Sequence, residues 1–104
     1  MSRKYILNEH GQAEAAGDLS AWAKWFETAD RIVAQEDIGL SRISTVFLGI
    51  DHNFGPRREP ILWETMVFGG RLNNEQDRCG GNREQAEAMH ERMKRRVLAE
   101  NVVV

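Results

Sequence analysis

Ser41-Arg-Ile-Ser-Thr-Val-Phe-Leu-Gly-Ile50, then Asp51-His-Asn-Phe-Gly-Pro-Arg-Arg-Glu-Pro60, then Ile61-Leu-Trp-Glu-Thr-Met-Val-Phe-Gly-Gly70: this stretch decides the fold. The two outer runs are rich in β-branched and aromatic residues and too short for typical helices, so both read as strands. A polar loop bounded by prolines joins them. It can close an antiparallel hairpin, whereas a parallel connection would need a crossover element. Apolar side chains fall on both faces: Ile43 and Phe47 against Val46 and Leu48, then Trp63 and Val67 against Leu62 and Met66. A hairpin apolar on both sides must be covered on both sides, by helices or by another subunit.

Outward from the hairpin, residues 3–8 (Arg-Lys-Tyr-Ile-Leu-Asn) read as a short strand that His10-Gly11 breaks, and residues 12–17 read as loop. Asp18 is placed to cap a helix in which Leu19, Trp22, Ala23, Phe26 and Ala29 share one stripe, with Trp25 at its flank. Residues 32–38 alternate weakly and are read as a strand turning at Gly39 into the hairpin. Residues 71–81 form a polar, glycine-containing connection. Asn82, with Gln85 three residues on, has the pattern of a capping box, and Ala86, Met89, His90, Met93 and Val97 then repeat at helical spacing.

The order β-α-β-β-β-α predicts one α+β domain over 1–104, with about four antiparallel strands and two amphipathic helices packed on them. The expected pairing sets Ile50 against Ile61, which places Glu64 opposite Phe47. Trp22, Phe26, Phe47, Leu48, Trp63 and Val67 are the expected core. Two helices can cover one face of such a sheet, so the other face predicts a homodimer.

Composition narrows the function classes. A formal charge of −2 with 14 basic and 16 acidic residues lacks the basic balance of a general nucleic-acid binder. The single cysteine, Cys79, excludes an intrachain disulfide and fits a reducing compartment. No run is long enough to span a bilayer and no signal-peptide pattern opens the chain, so the cytoplasm is the expected location. No membrane partner is expected, and nucleic acid is the less favoured macromolecular partner.

The strings Thr45-Val-Phe-Leu-Gly-Ile-Asp-His-Asn-Phe and Leu62-Trp-Glu-Thr-Met-Val-Phe-Gly-Gly resemble those of a group of small uncharacterised bacteriophage and prophage proteins. The similarity extends to residues 19–31 and to residues 86–93, and so covers most of the chain. Two departures are visible. The group usually carries a tryptophan at the start of the last helix and a glycine before its histidine, where this chain has Asn82-Arg83 and Met89. The resemblance implies a phage context and, with it, an accessory or counter-defence role; it implies no mechanism.

Five places carry candidate chemistry. Asp51 beside His52 can order or tune an imidazole at a loop mouth; the plainer reading is an Asx-type loop closure with a solvated histidine. Glu64 is the one carboxylate inside the second apolar run and can act as a general base if shielded; an outward position paired with Arg42 or Thr65 is the plainer reading. His90 lies on the apolar stripe of the last helix. With His52 and Glu64 it can complete an acid-base or metal site, yet no His-x-x-x-His or Cys-x-x-Cys spacing supports one, and neither metal nor cofactor is expected. Cys79 is a reactive thiol only if its environment lowers its pKa. Arg57 and Arg58, displayed between Pro56 and Pro60 beside Phe54, offer forked donors and a flat apolar contact to a partner.

Two functions are therefore carried forward. The first is a phage-derived accessory binding protein, acting stoichiometrically on a host protein or a small signalling nucleotide through Phe54, Arg57 and Arg58. The second is a small enzyme built from Asp51, His52, Glu64 and His90. The first is preferred, because no motif supplies a nucleophile with its base.

Overall fold

The computed structural model describes residues 3–55 and 59–100. Its elements run β1 (Tyr5–Leu7), β2 (Ala13–Ala15), α1 (Leu19–Thr28), β3 (Ile32–Ile38), β4 (Ser41–Phe47), β5 (Trp63–Phe68), β6 (Gln76–Cys79) and α2 (Arg83–Glu100). The last four strands form one antiparallel meander in the order β3-β4-β5-β6, and β1 pairs with β2 in a separate two-stranded sheet. The α+β class, the four-stranded sheet and the two helices are those the sequence predicts.

The differences lie in placement. Residues 12–17 and 71–81, read as loops, each contribute a short strand. β6 therefore supplies the fourth strand of the sheet in place of β1, which meets the end of the hairpin through a bridge from Lys4 to Ile50. The hairpin register also differs by one. Phe47 pairs with Trp63 and Val46 with Glu64, because the chain leaves regular pairing earlier than expected. Leu48 still bonds Leu62, Gly49 turns with φ of +76°, and the next bond to β5's side joins His52 to Ile61. An L side chain resists that backbone conformation, and a Cβ at Gly49 would press on the Phe26 ring.

Local rules account for both helix starts. Asp18 accepts from the Ala21 amide at 2.7 Å. Asn82 and Gln85 exchange reciprocal side-chain bonds with each other's amides at 2.9 and 3.1 Å, as a capping box requires. α2 lies across one face of the sheet and buries Ala86, Met89, His90, Met93 and Val97. Opposite it, Ile43, Thr45 and Phe47 of β4 and Trp63, Thr65 and Val67 of β5 are fully buried. α1 does not share that face. Its Trp22 indole donates to the carbonyls of Tyr5 and Gly49 at 3.2 and 3.0 Å, which anchors it at the sheet's end beside β1. Trp25 alone reaches the main core, edge-on to Phe47 at 5.9 Å.

Of the expected core, Phe47, Trp63 and Val67 are buried, whereas Trp22, Phe26 and Leu48 are half-buried. The second face of the sheet has no covering layer among the described residues. Among those residues, too, no helix is long and apolar enough to cross a membrane.

Phe47 sits at the centre of an aromatic chain, with its ring 4.9 Å from that of Trp63 and wholly excluded from solvent. Phe47→Ala should cost about 3–5 kcal/mol of folding free energy in denaturant melts. A loss below about 1 kcal/mol, the range of exposed sites, would contradict this placement.

Candidate functional site

The face between α2 and the sheet carries an unbroken polar chain. His90, 1 % exposed, bonds the Thr45 hydroxyl through Nδ1 at 2.7 Å and the Glu36 carboxylate through Nε2 at 2.8 Å. Thr45 in turn contacts the Thr65 hydroxyl at 2.5 Å across β4 and β5. The second oxygen of Glu36 takes Lys94 Nζ at 2.9 Å, one helical turn beyond His90. For a neutral imidazole, donor counting orients the chain. Nε2 faces a carboxylate, which only accepts, so Nε2 carries a proton. Nδ1 then accepts from Thr45, whose oxygen accepts from Thr65. Every described buried side-chain polar atom has a partner.

The order carboxylate, imidazole, hydroxyl is that of a nucleophilic triad. Access distinguishes the two. Thr45 and Thr65 are wholly buried, so no substrate can reach either hydroxyl, and the assembly fastens helix to sheet. The bonds from Lys94 and then His90 hold the Glu36 carboxyl below its usual range, and Glu36 holds the Lys94 ammonium above its own.

The remaining candidates are scattered. Asp51 Oδ1 accepts from the amides of Asn53 and Ile61 at 2.7 and 2.9 Å, closing the loop as an Asx turn does. His52 turns the other way, with Nδ1 donating to the Ile50 carbonyl at 2.8 Å. Glu64 lies on the uncovered face of the sheet and takes Arg78 at 2.7 Å. Its neighbour Thr65 points to the covered face, so Glu64 and His90 stand on opposite sides of β5. The four residues of the enzyme reading are thus not brought together. Among the described residues no group of three His, Cys, Asp or Glu side chains can hold a metal ion. Burial pushes the Cys79 thiol up, and Asp77 adds to the effect, so it is not a reactive thiolate.

Of the partner-binding trio, Phe54 is 74 % exposed, with the Arg3 guanidinium 4.4 Å from its ring centroid and His52 edge-on at 6.1 Å. It does not tuck back onto the sheet. Arg57 and Arg58 lie outside the described residues, as does Pro56. Asn53 braces the loop across its base, with its side-chain nitrogen donating to the Glu59 carbonyl at 2.7 Å.

Sequence reasoning missed Glu36, Thr45, Thr65 and Lys94. A signal was available: in Ile43-x-Thr45-x-Phe47 and Trp63-x-Thr65-x-Val67 a threonine interrupts each inward apolar series at the same level. Comparison with protein families, with curated proteins and with solved structures finds no match to this chain.

The Glu36 linkage has a definite sign. A carboxylate whose folded pKa lies below its unfolded value contributes stability above the unfolded value, ordinarily 4.5, and loses it as pH falls through the folded value. Melts in urea should show stability falling on acidification below about pH 4.5, with a smaller decline in Glu36→Gln. Equal slopes for the two proteins would place Glu36 outside the network.

Proposed function

We propose that this chain is a small cytoplasmic binding protein that acts by stoichiometric association rather than by turnover. The observation that carries the reading is the use of its reactive side chains. Asp51, His52, Glu64 and His90 each take part in an internal hydrogen bond, while Phe54 projects from a braced loop with Arg3 against it. An exposed aromatic beside guanidinium groups is the composition of an interface anchor. Arg57 and Arg58 follow it in sequence and add donors suited to carboxylate or phosphate. The two prolines that flank them reduce the entropy lost on binding.

A protein surface is the favoured target, because Phe54 stands out from the loop rather than lining a closed cavity. The resemblance to small phage proteins supports a host protein as that target, and inhibition of a host defence as the outcome. A small signalling nucleotide held by the arginines is the second candidate ligand.

The test is affinity capture from a bacterial host lysate, with proteomic and nucleotide readouts, using the wild-type chain and the triple variant Phe54→Ala, Arg57→Ala, Arg58→Ala. The wild type should retain one protein in near-stoichiometric amount. The variant should lose it while its melting temperature stays within about 2 °C of wild type, since exposed positions contribute little to folding. Equal retention by both proteins would make the loop a spacer. A nucleotide in place of a protein would redirect the assignment to the second ligand.

A further inference from the structure

The two helices are held very differently. α2 buries five residues on the four-stranded sheet, whereas α1 buries none, although it carries Trp22, Trp25 and Phe26. β1 and β2 are three residues each and hold no buried side chain. At the level of the backbone α1 packs on β1 and β1 on β2, and none of the three packs on the main sheet or on α2.

Residues 3–28 therefore meet the rest of the structure along one seam. Its polar ties from Tyr5, Trp22 and Arg3 converge on the hairpin's end. The Gly49 carbonyl accepts from the Tyr5 amide at 2.9 Å and from the Trp22 indole at 3.0 Å. The Asp51 amide donates to the Arg3 carbonyl at 2.7 Å, and the Arg3 guanidinium donates to the Asp51 carbonyl at 2.6 Å. Tyr5, Leu7, Ala13 and Trp25 supply the apolar ties, half-buried against the cluster that holds Phe47, Leu62 and Trp63. The seam is not filled. One cleft of about 430 Å³ lies between Tyr5 and Ala13 on one side and Pro60 and Leu62 on the other. A second, of about 550 Å³, separates Gly11 and Gln12 from Asn82 and Glu87. Atoms that line such clefts forgo the dispersion contacts of a packed interface.

We propose that residues 3–28 form a flap that opens as one unit about Ala29 and Asp30, baring the Phe47 end of the core while the four-stranded sheet and α2 stay folded. The hinge is set by what holds its two sides. α1 stops at Thr28, and Ala29 is already extended, with φ of −71° and ψ of 142°. Beyond it Arg31 is clamped to β4. Its carbonyl accepts from the Phe47 amide at 2.8 Å, and its guanidinium donates to the Phe47 carbonyl at 3.0 Å. Rotation thus falls on the two residues between. The latch is the Gly49 carbonyl, which releases β1 and α1 together. The groups it releases turn to water, so breaking these bonds has a small net cost. Elements with little buried apolar contact occupy the low end of local stability. Arg3 travels with the flap, so opening also withdraws its guanidinium from Phe54.

Native-state hydrogen exchange of the full-length chain, read by NMR in low concentrations of guanidinium, tests the proposal. The amides of α1 and the Trp22 indole N–H should merge onto one protection factor, at least about tenfold below that of α2, β4 and β5. The Trp63 indole N–H, which donates to the Gly81 carbonyl away from the flap, should exchange with the slow set. Trp22→Phe keeps a ring and removes the donor to Gly49, and should speed exchange of the flap about two- to tenfold. Ile43→Val trims the core beneath α2 on the far side from the seam. It should speed the slow set about two- to tenfold and leave the flap at its wild-type rate. Equal protection of α1 and α2, or a flap that quickens with Ile43→Val as much as α2 does, overturns the proposal. So do α1 amides that exchange independently of the Trp22 indole, and a flap that ignores Trp22→Phe.

Discussion

The imidazole of His90, held between Thr45 and Glu36, is the constraint on which the remaining structure depends. It lies at the middle of α2 and divides the core. On one side Phe47, Leu62, Trp63, Ala86 and Met89 cluster; on the other, Ile43, Val67, Met93 and Val97. Apolar contacts alone would let the helix slide along the sheet, since Ala86, Met89, Met93 and Val97 are interchangeable in kind. The polar chain is not. A shift of α2 by one turn would bring Ala86 or Lys94 to the threonines and break the bond between His90 and Thr45, at roughly 1–3 kcal/mol for a buried group left without its partner. Specificity of register, more than net stability, is what such a chain adds.

Fixing α2 on one face has a consequence for the other. The first helix is tied to the β1–β2 sheet by the Trp22 indole, so no second helix remains for the far side of β3 to β6 among the described residues. The face opposite α2 and the projecting Phe54 thus stay open to solvent among the described residues, while the His90 imidazole is engaged inside the core. With both ring nitrogens bonded, the His90 imidazole presents no free lone pair to a metal ion.

The parts of the fold that local rules decide were readable in the residues. Asp18 and the Asn82–Gln85 pair marked the helix starts, and the β-branched runs marked the hairpin. Long-range placement was not. β6 is Gln76-Asp-Arg-Cys79, three polar residues and a cysteine whose alternation carries no apolar signal, because it is the sheet's edge strand among the described residues and one of its faces meets water. The one-residue change in register goes with a bend at Gly49, where a Cβ would press on the ring of Phe26, more than twenty residues away. The polar chain was half visible. His90 stood out on an apolar stripe, but Glu36, 54 positions away in sequence, becomes its partner only once β3 has paired at the sheet's edge. Asp51, by contrast, behaves as its immediate sequence neighbours dictate.

The central claim is that His90 is locked in one orientation with its proton on Nε2, facing Glu36. Long-range nitrogen–proton correlation spectra of ¹⁵N-labelled imidazole at neutral pH test it directly. The account predicts that the His90 ring shows a single slowly exchanging N–H at Nε2, with Nδ1 in the range of a hydrogen-bonded acceptor. A proton on Nδ1, or averaged signals that report free exchange with solvent, would contradict it.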